Sequence, residues 1–253
     1  MTPADFAIAL HQARATCRRI DATEAFPANV ADAYAVQENL ASLAGGTVSG
    51  WKVTALNPRD QALYGTDRAV AGPLFSGSVL VSPAPVVLSH FIAPLLECEI
   101  AFVLAADLPP RRVPYSRDEV AKAIAHLVPA IEIPDCRLAG APSPLAILAD
   151  DMGNGAFLAG TPVANWHDLD LKKIDVVLEE DGGRIVRGRS TRIGIDPLMA
   201  VVELANAQPL PAGGLRRGQV ITTGSCIDPI PARSGSWRGS FGPLGEISFA
   251  CVA

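Results

Sequence analysis

The opening stretch repeats apolar residues at a helical spacing. Phe6, Leu10, Ala13 and Cys17 lie three or four positions apart, and Thr2 with Asp5 forms a capping signature ahead of them. A second helix is predicted from about Asn29 to Leu43, with Val30, Tyr34, Val36, Leu40 and Leu43 on or near one face and Gly45-Gly46 ending it. Thr2 to Leu43 therefore reads as a helical layer.

After Gly50 the pattern shortens to apolar or alternating runs separated by Pro and Gly, the mark of strands and turns. Strands are predicted at Ser49 to Thr54, Gly77 to Val81, Glu97 to Leu104, Val128 to Ile133, Gly155 to Ala159, Lys173 to Glu179, Arg184 to Ser190, Gln219 to Thr223 and Glu246 to Val252. Asp181-Gly182 marks a hairpin. Two helices interrupt the strands: Ser116 to Leu127, with Ser116 and Glu119 as cap, and Asp196 to Ala207, with Pro197 in the first turn. No internal repeat or low-complexity linker appears. The expectation is an α+β chain, one catalytic domain over residues 1–253 with 1–48 as an N-terminal helical addition.

At 253 residues and 49% hydrophobic, the chain has ample material for a buried core. A net charge of −5 with mixed signs, and 6% aromatics, argue against a nucleic-acid partner. The longest clean apolar run, Ile100 to Ala106, is far too short to span a membrane. Asp5, His11, Arg14, Arg18 and Arg19 interrupt any secretory signal, so a soluble cytoplasmic protein is expected. The five cysteines are scattered and read as reduced, mostly packing thiols.

Several motifs are missing: the Gly-x-Ser-x-Gly elbow, the Gly-x-x-x-x-Gly-Lys loop and the His-Glu-x-x-His pair. Gly153-Asn154-Gly155 begins like a dinucleotide fingerprint, but the next glycine, Gly160, comes two places late.

The informative chemistry is acidic. In a strand, Glu97 and Glu99 project from one face about 7 Å apart, while Cys98 and Ile100 point the other way. Glu132 sits between Ile131 and Ile133. Burying three like charges is expensive without a cation, and oxygen-only ligands favour a hard ion, Mg²⁺ or Mn²⁺. The alternative is a Glu-x-Glu strand on a solvated edge. Lys52, beside Trp51, is either a pocket cation for a carboxylate substrate or an outward-facing lysine. Asp150-Asp151 follows an apolar run and is either a capping pair or functional, and Asp135 reads as a surface or turn acid. His11, His90, His126 and His167 share no partner spacing and read as structural or exposed.

In order along the chain, Ala31 to Gln37, Gly50-Trp51-Lys52-Val53, Leu95 to Leu104, the Glu132 segment, Ala149 to Gly160, Asp196-Pro197-Leu198 with Leu204-Ala205-Asn206, Leu215 to Gly224 and Phe241 to Gly245 resemble the 2-keto-4-pentenoate hydratase branch of the fumarylacetoacetate hydrolase superfamily, which includes the 4-oxalocrotonate decarboxylases. The resemblance covers nearly the whole chain. It implies strongly bent mixed sheets with flanking helices, a fumarylacetoacetase-like β-roll, and a divalent metal on Glu97, Glu99 and Glu132. It also implies active-site places for Lys52 and Asp150, a short 2-oxo or 2-hydroxydienoic acid that chelates the metal, and a homo-oligomer. The implied activity is a lyase of aromatic-compound catabolism: water adds to the conjugated acid, or, in the decarboxylase relatives, CO₂ departs into the same electron sink. A non-catalytic small-acid binder is the remaining alternative.

Two departures stand out. The branch usually carries an acidic pair after the Gly-x-Leu that matches Gly72-Pro73-Leu74, but Phe75-Ser76-Gly77-Ser78 follows here. Asp150-Asp151-Met152-Gly153-Asn154 replaces Asp-Asn-Ala-Ser-Ser, putting the amide of Asn154 where a hydroxyl near the substrate is usual. The His-x-x-Glu dyad of the hydrolase branch is absent.

Overall fold

Thr2 opens the first helix, Pro3–Thr16, by a reciprocal capping box with Asp5, and Cys17 ends it in a left-handed conformation at φ 49°. Asn29 caps the second, Val30–Ala44, through the Asp32 amide, and Gly45 closes it at φ 61°. Phe6, Leu10, Ala33, Val36 and Leu40 share a core with Val70, Leu138 and Leu148, which ties the helical layer to the body. Between the helices, Ile20–Asp21 pairs in parallel with Leu138–Ala139, so the uninterrupted helical reading of 2–43 is corrected there. The computed structural model describes residues 1–21 and 26–253, and the part of that expectation on residues 22–25 lies outside the described residues.

The larger sheet runs in the order Val70–Phe75, Val48–Thr54, Val220–Ser225, Leu95–Leu104, Ile124–Pro134, Asn154–Ala159 and Val79–Val81, with Ile230–Pro231 also on Leu95–Leu104. Val220–Ser225 is parallel to Val48–Thr54 and antiparallel to Leu95–Leu104, so the sheet is mixed. A second sheet orders Ile185–Arg189, Asp175–Glu180, Gly235–Ser240, Glu246–Val252 and Pro85–Val87. Neither closes into a barrel. The main core draws Trp51, Phe102, Ile131 and Ile221 from the first sheet, Leu178, Trp237 and Ile247 from the second, and Leu198, Val201 and Leu204 from the helix Pro197–Asn206.

Most predicted strands lie within one or two residues of the observed ones, and the Asp181-Gly182 turn joins its hairpin. The predicted helix Ser116 to Leu127 is too long: it spans Arg117–Lys122, and from Ile124 the chain is an eleven-residue strand. Long-range pairing with Leu95–Leu104 overrides local helical preference there. Gly77 to Val81 begins as a single turn at Ser76–Ser78 before the strand Val79–Val81, and Leu171–Lys173 is likewise a turn before Asp175–Glu180. Val70–Phe75, Pro85–Val87 and Gly235–Ser240 were not legible as strands because Pro and Gly interrupt their pattern. Val70–Phe75 tolerates Pro73 because it ends the sheet.

Candidate active site

Leu95–Leu104 is an interior strand, hydrogen-bonded on both sides. One face buries Leu96, Cys98, Ile100, Phe102 and Leu104; the other presents Glu97, Glu99 and the buried Ala101. The solvated-edge alternative therefore does not apply. Glu97 is the register partner of Glu132 on Ile124–Pro134, and Glu99 lies opposite Ala130. Directly opposed residues of an antiparallel pair hold their side chains on the same face about 5 Å apart. Glu97, Glu99 and Glu132 accordingly bring a carboxylate oxygen each to within 4.8 Å of one another. Glu99 and Glu132 are each 1% exposed.

Lys52 reaches this group from two strands away, since Val48–Thr54 pairs with Val220–Ser225 and that strand with Leu95–Leu104. Its Nζ forms an ion pair with Glu132 and donates to the Met152 carbonyl at 2.8 Å. The Gly224 amide donates to Glu99 Oε2 at 2.9 Å. Burial, then the charge of Glu132, pushes the Glu97 carboxyl up from 4.5 to about 7, against the pull of Lys52 and Arg192. Burial, Glu132 and Glu97 raise Glu99 well above the ordinary range. Burial opposes the charge on Lys52, but the facing carboxylates of Glu132, Glu97 and Glu99 outweigh it and its pKa lies above the usual value. Lys52 is thus a firm ammonium and not a free base. Three carboxylates against one ammonium leave two negative charges, which one divalent cation neutralises. The all-oxygen donor set fits a hard ion.

Asp150 lies apart from that triad. Its Oδ2 accepts from the Arg137 amide at 2.9 Å and its Oδ1 from Arg137 Nε, while Arg137 also donates to the Asp150 and Asn154 carbonyls. Both residues are buried, so the pair anchors the loop after the helix Pro144–Ala149. Asn154 donates from Nδ2 to the Pro73 carbonyl at 3.0 Å, and its Oδ1 is buried without a hydrogen-bond partner among the described residues. Asp135, read as a surface or turn acid, is 6% exposed and accepts from the amides of Ile92 and Ala93. The four histidines stay outside the glutamate group. All five cysteines are free thiols.

Between the Asp150 anchor and Asn154, Asp151, Met152 and Gly153 are left-handed in succession, at φ 51°, 57° and 66°. The loop lies so close to Val70–Phe75 that a Cβ on Gly72 would stand 2.5 Å from the Asp151 carbonyl. Arg137 and the Met152 carbonyl gave no sequence signal: Arg137 meets Asp150 only through the packing of two loops, and a backbone acceptor has no residue identity.

No family model matches the chain. It is 29% identical over 240 residues to a 2-keto-4-pentenoate hydratase of Burkholderia vietnamiensis, covering 92% of this chain and 87% of that protein. To a protein of the same description from Paraburkholderia xenovorans it is 30% identical over 212 residues, 82% of this chain and 78% of the other. The solved 4-oxalocrotonate decarboxylase of Pseudomonas putida G7, complexed with magnesium and adipate, superposes with a TM-score of 0.84 at 25% identity, over 99% of this chain and 97% of that one. On the order of its motifs, its mixed-sheet fold and these alignments, the chain belongs to the 2-keto-4-pentenoate hydratase family of the fumarylacetoacetate hydrolase superfamily.

Proposed function

We propose that this chain is a divalent-metal-dependent lyase that adds water to a short 2-hydroxydienoate such as the enol of 2-keto-4-pentenoate, in the breakdown of aromatic compounds. The observation that carries the reading is the buried convergence of Glu97, Glu99 and Glu132 on one face, with Lys52 as their ammonium partner. Those three glutamates would hold Mg²⁺ or Mn²⁺, which when bound supplies Lewis-acid stabilisation of negative charge developing on the substrate's C2 oxygen. Lys52 offers a second, permanent positive charge to the substrate carboxylate or enolate, and the Met152 carbonyl fixes its direction. Asp150 acts through Arg137 by holding the loop that carries Met152 and Asn154, and Asn154 keeps an amide oxygen free for a substrate donor. The buried walls around Glu99 and Glu132 keep bulk water away and strengthen each of these interactions.

Calorimetric titration with Mg²⁺, paired with loss of dienoate ultraviolet absorbance, tests this. Wild type binds and turns over; Glu132→Ala does neither; Lys52→Met binds Mg²⁺ yet loses at least about 100-fold in turnover. Absence of Mg²⁺ binding by wild type, or unchanged binding in Glu132→Ala, refutes the metal site. The decarboxylase reading is favoured by the likeness to the Pseudomonas putida G7 structure. Release of CO₂ from 2-oxo-3-hexenedioate decides between the two. The same reading places the protein in the cytoplasm as a homo-oligomer, which light scattering tests.

A further inference from the structure

Asp151 has no part in the chemistry described so far, although its surroundings are those of a working carboxyl. It is 2% exposed, and its Oδ1 is buried without a hydrogen-bond partner among the described residues. Structural buried acids are paired, as its neighbour Asp150 is with Arg137. Its backbone is left-handed, an unfavourable conformation for a non-glycine residue that persists where surrounding structure enforces it. The following residue, Met152, presents the carbonyl that receives the Lys52 ammonium.

Asp151 also lines a cavity of about 20 Å³ with Leu10, Arg14, Phe75 and Arg137, room for a single water. Arg14, Phe75 and Arg137 are shared with a neighbouring cavity of about 520 Å³, also bordered by His90 and Phe91. The following carbonyl of this loop faces Lys52, and Asp151 itself borders the smaller cavity on the side of the first helix.

Resting on the hydratase reading, we propose that Asp151 is the catalytic residue that moves the proton to and from carbon in the substrate's enolate. As an acid it gives its proton to the terminal carbon of the dienolate: the Asp151 O–H bond breaks, a C–H bond forms, and the electron pair comes from the C2 enolate oxygen through the conjugated chain. The enol proton lost earlier goes to water, and the Asp151 carboxylate regains a proton through the small cavity. The product is the 2-oxo-3-enoate, ready for addition of water. In reverse, the carboxylate takes the terminal-carbon proton of the 2-oxo-3-enoate; on a saturated 2-oxo acid, whose acidic carbon is C3, the same carboxylate takes a C3 proton and the C–H electron pair passes to the C2 oxygen as the enolate.

The charged and titratable groups around Asp151 are Arg137, Arg14 and His11 on the first helix, Asp150 and Lys52. Burial outweighs the two arginines and lifts its carboxyl from 3.8 to about 7, where both protonation states are populated near neutrality.

The test is Asp151→Asn, compared with wild type in saturating Mg²⁺. The substitution is nearly isosteric, and Asn tolerates the left-handed conformation at least as well as Asp. Three readouts are taken: Mg²⁺ binding by calorimetry, exchange of the C3 protons of 2-oxopentanoate into D₂O by NMR from pH 5.5 to 8.5, and the melting temperature of metal-free protein at pH 8. The expected result is unchanged Mg²⁺ binding, exchange and dienoate turnover lowered at least about 100-fold, loss of the pH limb near 7 from the residual rate, and a melting temperature equal to or above wild type. Exchange within threefold of wild type with the same pH profile overturns the assignment while leaving the metal site standing. Wild type that binds no Mg²⁺ overturns the hydratase reading itself, and the assignment with it. A merely structural Asp151 would instead lower the melting temperature and leave the pH profile in place, which also overturns it.

Discussion

Glu97 stands directly across the antiparallel ladder from Glu132, two carboxylates opposed on the inner face of a sheet with Glu99 beside them. Like charges in that relationship destabilise a sheet unless a proton or a cation intervenes. Mg²⁺ is therefore expected to stabilise the fold, by about 2.7 kcal/mol when present at roughly a hundred times its dissociation constant. Differential scanning fluorimetry with and without a chelator reads this directly. Glu97→Gln removes the repulsion as well as a ligand, so it should melt at or above the wild-type temperature without metal and show no gain on adding it.

The raised Glu97 carboxyl sets a pH dependence. Its folded value of about 7 lies above the usual 4.5, so the native state holds a proton that the unfolded chain releases between those values. Metal-free stability should fall as pH rises from about 4.5 to about 7, by the sign of proton linkage. Metal binding needs the ionised carboxylate and so releases protons. Affinity should climb with pH, by up to about tenfold per pH unit for each carboxyl that must ionise, with Glu97 losing its proton near 7 and the raised Glu99 extending the rise. Calorimetry in two buffers of different ionisation enthalpy counts the protons; no proton release at pH 6 would contradict the prediction.

Gly72 is required by closeness. A methyl group there meets the Asp151 backbone carbonyl at 2.5 Å, against main chain that has no soft direction in which to yield. Gly72→Ala should cost about 1–3 kcal/mol in urea unfolding and depress turnover, because the displaced loop carries the acceptor of Lys52. Gly77 has open space at the same construction and no left-handed requirement, so Gly77→Ala serves as the contrast, neutral or up to about 1 kcal/mol stabilising.

The pair of Asp150 and Arg137 anchors the loop from within the protein, both partners being almost wholly buried. Arg137→Met leaves the buried Asp150 carboxylate without its charged partner and removes one donor each from the carbonyls of Asp150 and Asn154, which keep the Gly153 amide and Arg14 respectively. A loss of about 3–5 kcal/mol is expected, measured by chemical denaturation. The double change Arg137→Met with Asp150→Leu should recover much of that loss in stability without restoring turnover.

Local chemistry was written in the sequence. Thr2 with Asp5 and Ser116 with Glu119 cap helices because the partners lie one turn apart, and the alternation from Leu95 to Leu104 sets Glu97 and Glu99 on one face whatever the strand pairs with. The order of motifs along the chain was equally legible and led to the family before any coordinate. Tertiary structure decided what period and spacing do not encode. A strand reads the same at an edge and in the interior, and only pairing on both sides removed Glu99 from water. The register that faces Glu97 with Glu132 depends on which long strands align, as does the conversion of 124–127 from predicted helix to strand. The division of labour between adjacent aspartates, one locked to Arg137 and the other with no partner on Oδ1 among the described residues, arises where loops distant in sequence pack together. Local sequence fixes backbone preference and side-chain direction; burial and pairing are properties of the assembled chain.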